Sequence, residues 1–248
     1  MTAFDEIMRA ADELSRELRP LYERRPWGQA WHVLDPTRYA RANYEAYVRR
    51  AADGPRAGLV VGMNPGPHGM AQTGVPFGDV TSADQILGRD LVAPADRPTV
   101  VLAGDRPAWR CCGLEYHRDE VSGRRLWGEL SRLAGTIGRA LGRVFVVNHY
   151  PLLLLGAGGQ NVPSSDLPRT DPRTTQARAA CDLHLRRVAE AVGATRVLAL
   201  GRHAEAACRR ALAGSAAEVR ETLHPSPRNA GWADAAAPAL AWVLGGAA

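Results

Sequence analysis

The sequence predicts an α/β protein: one domain over residues 1–248, with a doubly wound, mainly parallel central sheet of about four strands flanked by helices. Three observations lead there. Short apolar runs such as Gly58–Val61, Val144–Val147 and Arg196–Leu200 lack clean apolar–polar alternation, so they read as strands buried on both faces. Helix-length segments separate them, the spacing that parallel crossovers require. With 248 residues and 46% hydrophobic content, the chain is long enough for one large core.

The elements follow in order. Phe4, Ile7, Met8, Ala11, Leu14 and Leu18 recur at helical spacing and predict a surface helix from Phe4 to Leu21. Tyr22, Trp27, Trp31, Tyr39, Tyr44 and Tyr47, interrupted by Pro26 and Pro36, predict a loop and a short helix laid over the core, with packing the default role for these rings. Gly58–Val61 is the first strand, and it runs into a glycine- and proline-loaded loop from Gly62 to Val80. Such a loop is stiff, and it holds backbone amides and side chains in place as a site does. Thr99–Leu102 is a second, short β-rich run, and Ser122–Gly138 returns to helical spacing through Leu126, Trp127, Leu130, Leu133 and Ile137.

Val144–Val147 is the next strand and ends in Asn148-His149-Tyr150-Pro151. Thr170-Asp171-Pro172 starts a helix that Gly193 stops. Arg196–Leu200 is a strand, Ala204–Leu212 a helix, and Val219–Leu223 a last strand that delivers His224-Pro225-Ser226-Pro227-Arg228-Asn229. Parallel sheets bind ligands beyond the carboxyl ends of their strands. Three polar signatures, Gly62–Gly66, Asn148–Pro151 and His224–Asn229, therefore fall on one edge if these strands are parallel.

Composition narrows the chemistry. The net charge is +5 with a pI near 9.4, and the 31 basic residues are all arginine. An anionic partner fits, nucleic acid before membrane, although an Ala- and Arg-rich composition also follows from genomic base bias, so charge carries little weight alone. Without lysine, a lyase acting through a lysine Schiff base is excluded, leaving only the N-terminal amine for such chemistry. No run of 18 apolar residues occurs, and Met1–Glu6 has no basic start leading into an apolar core, so a soluble cytoplasmic protein without a membrane partner is expected. Cys111, Cys112, Cys181 and Cys208 form no C-x-x-C pair, which supports neither a zinc site nor a disulfide framework. No metal and no cofactor is implied. Gly156-Ala157-Gly158-Gly159 has no strand immediately before it and reads as a flexible loop, and no phosphate-binding P-loop is present.

The three signatures, in this order, resemble the single-strand-selective monofunctional uracil-DNA glycosylase family within the uracil-DNA glycosylase superfamily. Gly62-Met63-Asn64-Pro65-Gly66-Pro67 is similar to the family's water-activating motif, Gly69–Val80 continues its loop, and His224–Asn229 matches its second motif. Glu120-Val121-Ser122-Gly123, Asn148 before Pro151-Leu152-Leu153, and Gly201-Arg202 with Ala211–Gly214 also fit. The resemblance covers about Trp27 to Leu244, leaving the first helix outside it.

The resemblance implies hydrolysis of the N-glycosidic bond of uracil, and of 5-hydroxymethyluracil, in single- and double-stranded DNA, by a bacterial-type monomeric base-excision enzyme. Asn64 would hold the attacking water, since an amide takes up no proton near neutral pH and cannot serve as a strong general base. Taken alone, an asparagine before Pro65 only turns the chain; the long motif favours the functional role. His224 would donate to uracil O2 as charge develops there, and its two loop prolines stiffen that position. Asn148 would read the Watson–Crick edge and Phe77 would stack on the flipped base, against the simpler readings of a strand-end cap and a core ring. Met63 and Gly66 would line the same pocket. Pro225, Ser226, Pro227, Arg228 and Asn229 would contact DNA, with Arg228 and Asn229 opening the family's wedge; His68 would stack on DNA or line the loop. Animal members carry several more residues between Asn229 and Gly231-Trp232 than the single Ala230 here, which implies a shorter wedge. Two other readings stay open: a superfamily glycosylase shifted toward xanthine or hypoxanthine, and a non-catalytic damaged-DNA-binding protein.

Overall fold

The computed structural model describes residues 1–54, 56 and 58–246. Helix α1 (Ala3–Tyr22) opens with a capping box in which Thr2 and Asp5 satisfy each other's backbone N–H groups. It is followed by β1 (His32–Leu34), α2 (Pro36–Tyr39), α3 (Arg41–Ala51), β2 (Gly58–Gly62), α4 (Met70–Thr73) and α5 (Val80–Leu87). The middle of the chain forms β3 (Thr99–Val100), β4 (Trp109–Arg110), α6 (Val121–Ala134), α7 (Ile137–Leu141), β5 (Val144–Asn148) and β6 (Leu153–Leu155). Last come α8 (Pro172–Val192), β7 (Arg196–Leu200), α9 (Arg202–Ala211), β8 (Glu218–Thr222) and α10 (Trp232–Val243).

The central sheet has four strands in the order β5-β2-β7-β8, every pair parallel, as the apolar runs predicted. The crossovers β5–α8–β7 and β7–α9–β8 step across it in one direction, and α8 packs on α9 while α10 packs on α6. Both faces are thereby covered, and Leu59, Val60, Val61, Val144, Phe145 and Val146 have no solvent exposure. Asp171 caps α8 with Pro172 in its first turn, and Gly193 ends it in the left-handed region at φ 68°.

Three expectations needed correction. The β-rich run at Thr99 leaves the central sheet and pairs antiparallel with β4 as a separate two-stranded ribbon. The Ser122–Gly138 helix is two helices, broken where Gly135 turns to φ 88° and Thr136 caps α7. The aromatic segment contributes β1, which pairs with β6 across 121 residues, and two helices.

Candidate active site

All three polar signatures do lie on the carboxyl edge of the sheet. Register pairs Gly62 with Asn148 at the ends of β2 and β5, and the ladder continues past them, His149 N donating to Gly62 O at 2.9 Å and Tyr150 N to Met63 O at 2.8 Å. A cavity of about 400 Å³ opens there, lined by Met63, Asn64, Gly66, Phe77, Asn148, His224, Ser226, Pro227 and Arg228 from the predicted set. Pro65, Met70, Glu120, Ser122 and Asn161 complete its wall.

Phe77 sits under this cavity in an unusual backbone state. Its φ of +55° is the sole positive value among described non-glycine residues, a conformation that costs about 1–3 kcal/mol and persists only when its surroundings enforce it. They do. Thr73 Oγ1 donates to Gly78 O at 2.6 Å, Gly78 N donates to Val75 O at 2.8 Å, and Trp127 Nε1 donates to Pro76 O at 3.1 Å. Gln72, fully buried, ties the same loop to β4 through Arg110 O and Cys112 N. Two glycines make room: a Cβ on Gly123 would fall 1.9 Å from Phe77 O, and one on Gly62 would fall 2.4 Å from the Phe77 ring and 2.7 Å from Asn148 Oδ1.

The two asparagines are oriented by what surrounds them. Asn64 Oδ1 accepts from Ser164 N at 3.0 Å while Nδ2 donates to Pro65 O at 3.2 Å and weakly to Val162 O at 3.5 Å. A backbone donor on one side and carbonyls on the other fix which end is oxygen. One Oδ1 lone pair is left for a further donor. Asn148 is 3% exposed; its Nδ2 lies 3.3 Å from Met70 Sδ, and its Oδ1 is buried with no hydrogen-bond partner. An unpaired buried carbonyl is costly, so this oxygen is poised for a donor that enters the cavity.

His224 follows β8, its ring 6.3 Å from that of Phe77, and burial lowers its pKa from the usual histidine range. Burial therefore favours the neutral imidazole. Its loop is clasped from three sides: Asn229 Nδ2 donates to His224 O at 2.7 Å, Trp232 Nε1 to Leu223 O at 2.6 Å, and Arg125 Nη1 to Ser226 O at 2.7 Å and Asn229 O at 3.1 Å. The Asn229 side chain, expected on DNA, is thus turned back to hold the loop. Pro225 is buried outside the cavity wall, and His68, also outside it, stacks on Tyr116 and hydrogen-bonds its hydroxyl. Burial, then Arg118, lowers the His68 pKa to about 4. Arg228 is exposed at the rim.

Sequence reading passed over Arg125, Gly62 and Glu120 as site residues. Arg125 acts through contacts far along the chain and leaves no local signal, while Gly62, quoted within the first motif, makes room for Phe77 and Asn148 in a way that its own position does not announce. Glu120 lay within a quoted motif, but an acidic residue ahead of a helix reads as an N-cap. In the structure it occupies the N-cap of α6 yet makes no side-chain cap bond. All four cysteines are free thiols, no helix among the described residues is long and apolar enough to cross a membrane, and no described cluster of three or more His, Cys, Asp or Glu could hold a metal ion.

Comparison with known proteins agrees with this geometry. The chain is 41% identical over 206 residues to the single-strand selective monofunctional uracil DNA glycosylase of Bos taurus, covering 81% of this chain and 73% of that protein. It is 39% identical over 229 residues to the Mus musculus protein of the same name, covering 90% and 78%. The crystal structure of wild-type Pedobacter heparinus SMUG2 shares the fold, with a TM-score of 0.56 at 15% identity over 91% of this chain and 88% of that one. The sequence profile of the Uracil DNA glycosylase superfamily matches residues 55–243, and with these relatives it shows that the chain belongs to that superfamily.

Proposed function

We propose that this protein is a monofunctional uracil-DNA glycosylase, hydrolysing the N-glycosidic bond of a uracil flipped out of DNA and leaving an abasic site. The observation that carries this reading is Asn148 Oδ1, buried and unpartnered in one cavity with Phe77, Asn64 and His224. Uracil N3–H supplies the donor this oxygen lacks, and uracil O4 can accept from Nδ2. Cytosine presents the opposite pattern, and contact with Met70 Sδ opposes rotation of the amide to suit it. The base stacks on Phe77. Asn64 Oδ1 accepts a hydrogen from water, leaving a water lone pair free for the sugar C1′, so its contribution is proximity and alignment. His224 donates to O2 as the departing base gains negative charge. No lysine exists for a Schiff base, and none is needed.

We extend the substrate range to 5-hydroxymethyluracil, entering beside Met63 and Gly66, and take the working form to be a monomer in the cytosol, which sedimentation and cell fractionation test. The short segment between His224 and α10 favours uracil that is single-stranded or mispaired, where extrusion costs less. The test is base release from oligonucleotides carrying uracil, 5-hydroxymethyluracil, xanthine or hypoxanthine, by wild type, Asn64→Ala and His224→Ala. Release of uracil by wild type, with losses of about 10²-fold or more in both variants, is expected. No release from any substrate ends the enzymatic reading, and unchanged variants end the assigned roles.

A further inference from the structure

Glu120 occupies the N-cap position of α6 without capping it, and its side chain turns into the cavity instead. It rests in a notch that glycines keep open: a Cβ on Gly66 would lie 2.7 Å from Glu120 Oε1, and one on Gly69 would lie 1.6 Å from Oε2. Oε2 is shielded from solvent and has no hydrogen-bond partner, while the backbone N–H of Glu120 donates to Asp79 Oδ2 at 3.2 Å. An ionised carboxylate in this setting would be a poorly solvated charge, one oxygen shielded, with another carboxylate beside it. Burial, and then Asp79, lift the Glu120 pKa to about 7. Oε1, beside Gly66 on the cavity wall, is not shielded in this way and no protein group holds it, so it is the oxygen that can present a proton to the cavity.

The wall it shares with Asn148 gives its position relative to the base. Asn148 Nδ2 touches Met70 Sδ, Met70 follows Gly69, and Gly69 abuts the Glu120 carboxyl. A pyrimidine presenting N3–H and O4 to Asn148 therefore meets Glu120 next along the same rim, on the O4–C5 side, across the ring from O2. Resting on the glycosylase reading of this cavity, we infer that Glu120 is a specificity-determining residue that enters the reaction as a neutral carboxylic acid and donates its O–H to an oxygen on the O4–C5 edge of the flipped base. The ionised form loses that donor. It also sets negative charge beside a base that becomes anionic as the bond breaks, so both effects slow excision.

The other charged groups around Glu120 are engaged or distinct in their titration. Asp119 pairs with Arg124, Arg125 is held by Ser226 O and Asn229 O, His68 is bound to Tyr116, and Asp79 also caps α5 through Ser82 N. His224 and Arg228 share the cavity, and burial lowers the titration of His224, away from the range of Glu120.

Single-turnover excision by the full chain tests this, on uracil and 5-hydroxymethyluracil oligonucleotides, from slightly acidic pH up to the onset of ionisation at uracil N3. Wild type is expected to slow by about tenfold per pH unit above the Glu120 midpoint. Glu120→Gln keeps a donor and cannot ionise, so its rates lose this alkaline limb, whereas Glu120→Ala lowers the 5-hydroxymethyluracil-to-uracil rate ratio by about tenfold. A wild-type profile that stays flat overturns the inference even if neither variant folds, as does an alkaline limb that survives unchanged in Glu120→Gln. Absence of uracil release by wild type at every pH is a different result: it removes the glycosylase reading, and this inference with it.

Discussion

Gly62→Ala would add one methyl group where β2 ends, between the two residues proposed to read the base. Its Cβ would stand 2.4 Å from Phe77 Cζ, 2.5 Å from Cε2 and 2.7 Å from Asn148 Oδ1. Carbon contacts relax at about 3.5 Å or more, so something must move by roughly 1 Å. Phe77 is poorly placed to give way, because Thr73, Trp127 and the close approach of Gly123 hold its backbone. Overpacking of this kind costs about 1–3 kcal/mol. For a domain of this size that lowers Tm by roughly 2–10 °C. A displacement of about 1 Å in a positioning residue is worth on the order of 10² in rate, so excision should fall well beyond what the lost stability explains. The assays are thermal unfolding and single-turnover uracil release at a temperature where the variant remains folded. Gly128→Ala, within α6 where a Cβ meets nothing within 4 Å, is the control and should keep wild-type activity. If Gly62→Ala excises uracil within about threefold of wild type, Phe77 and Asn148 are not the walls that hold the base.

The remaining predictions are narrower. Asn148→Ala removes the acceptor for N3–H and should slow uracil excision by about 10–100-fold while leaving binding to abasic DNA nearly unchanged, measured by rates and fluorescence anisotropy. Arg125→Ala loses the hydrogen bonds to Ser226 O and Asn229 O; hydrogen exchange over residues 224–229 should rise, and excision should fall with it. Glu120 makes stability pH-dependent: its folded pKa of about 7 lies above the unfolded value near 4.5, so the folded state binds the proton more tightly. Its contribution to stability is thus greatest below the unfolded value, and up to about 3 kcal/mol of it is lost as pH rises through about 7. Chemical denaturation of Glu120→Gln should show that loss abolished. Arg228→Ala should weaken duplex binding and reduce the slope of log affinity against log salt by about one, because one phosphate contact is lost.

The central strands were legible because burial on both faces leaves only apolar residues at Leu59–Val61, Val144–Val147 and Val197–Leu200. Asp171-Pro172 and Gly193 marked the ends of α8 through chemistry local to those positions. Strands β1 and β6 escaped notice, since three-residue segments carry no readable period and their pairing depends on residues far apart. Asn64, Phe77, Asn148 and His224 were found because a long motif held them in order, and the structure brings all four to one cavity. What holds them there was not legible. Arg125 reaches the Ser226–Asn229 loop across 101 and 104 residues, and nothing around position 77 in the sequence announces a phenylalanine at positive φ. The side chain of Asn229, read as a partner of DNA, donates to His224 O, and His68, read as stacking on DNA or lining the loop, is engaged with Tyr116. An exposed-looking polar residue in a loop gives no sign of which neighbour it will choose.

The strained backbone of Phe77, held by Thr73 and Trp127, has a kinetic consequence. A floor held this way does not close around the base, so Phe77 supplies no movement with which to pull a nucleotide from its partner. Capture would then wait on the DNA, and the observed rate would follow how often and how long each base pair opens. Differences between U:G and U:A sites would be set by the duplex, with the same enzyme merely sampling them.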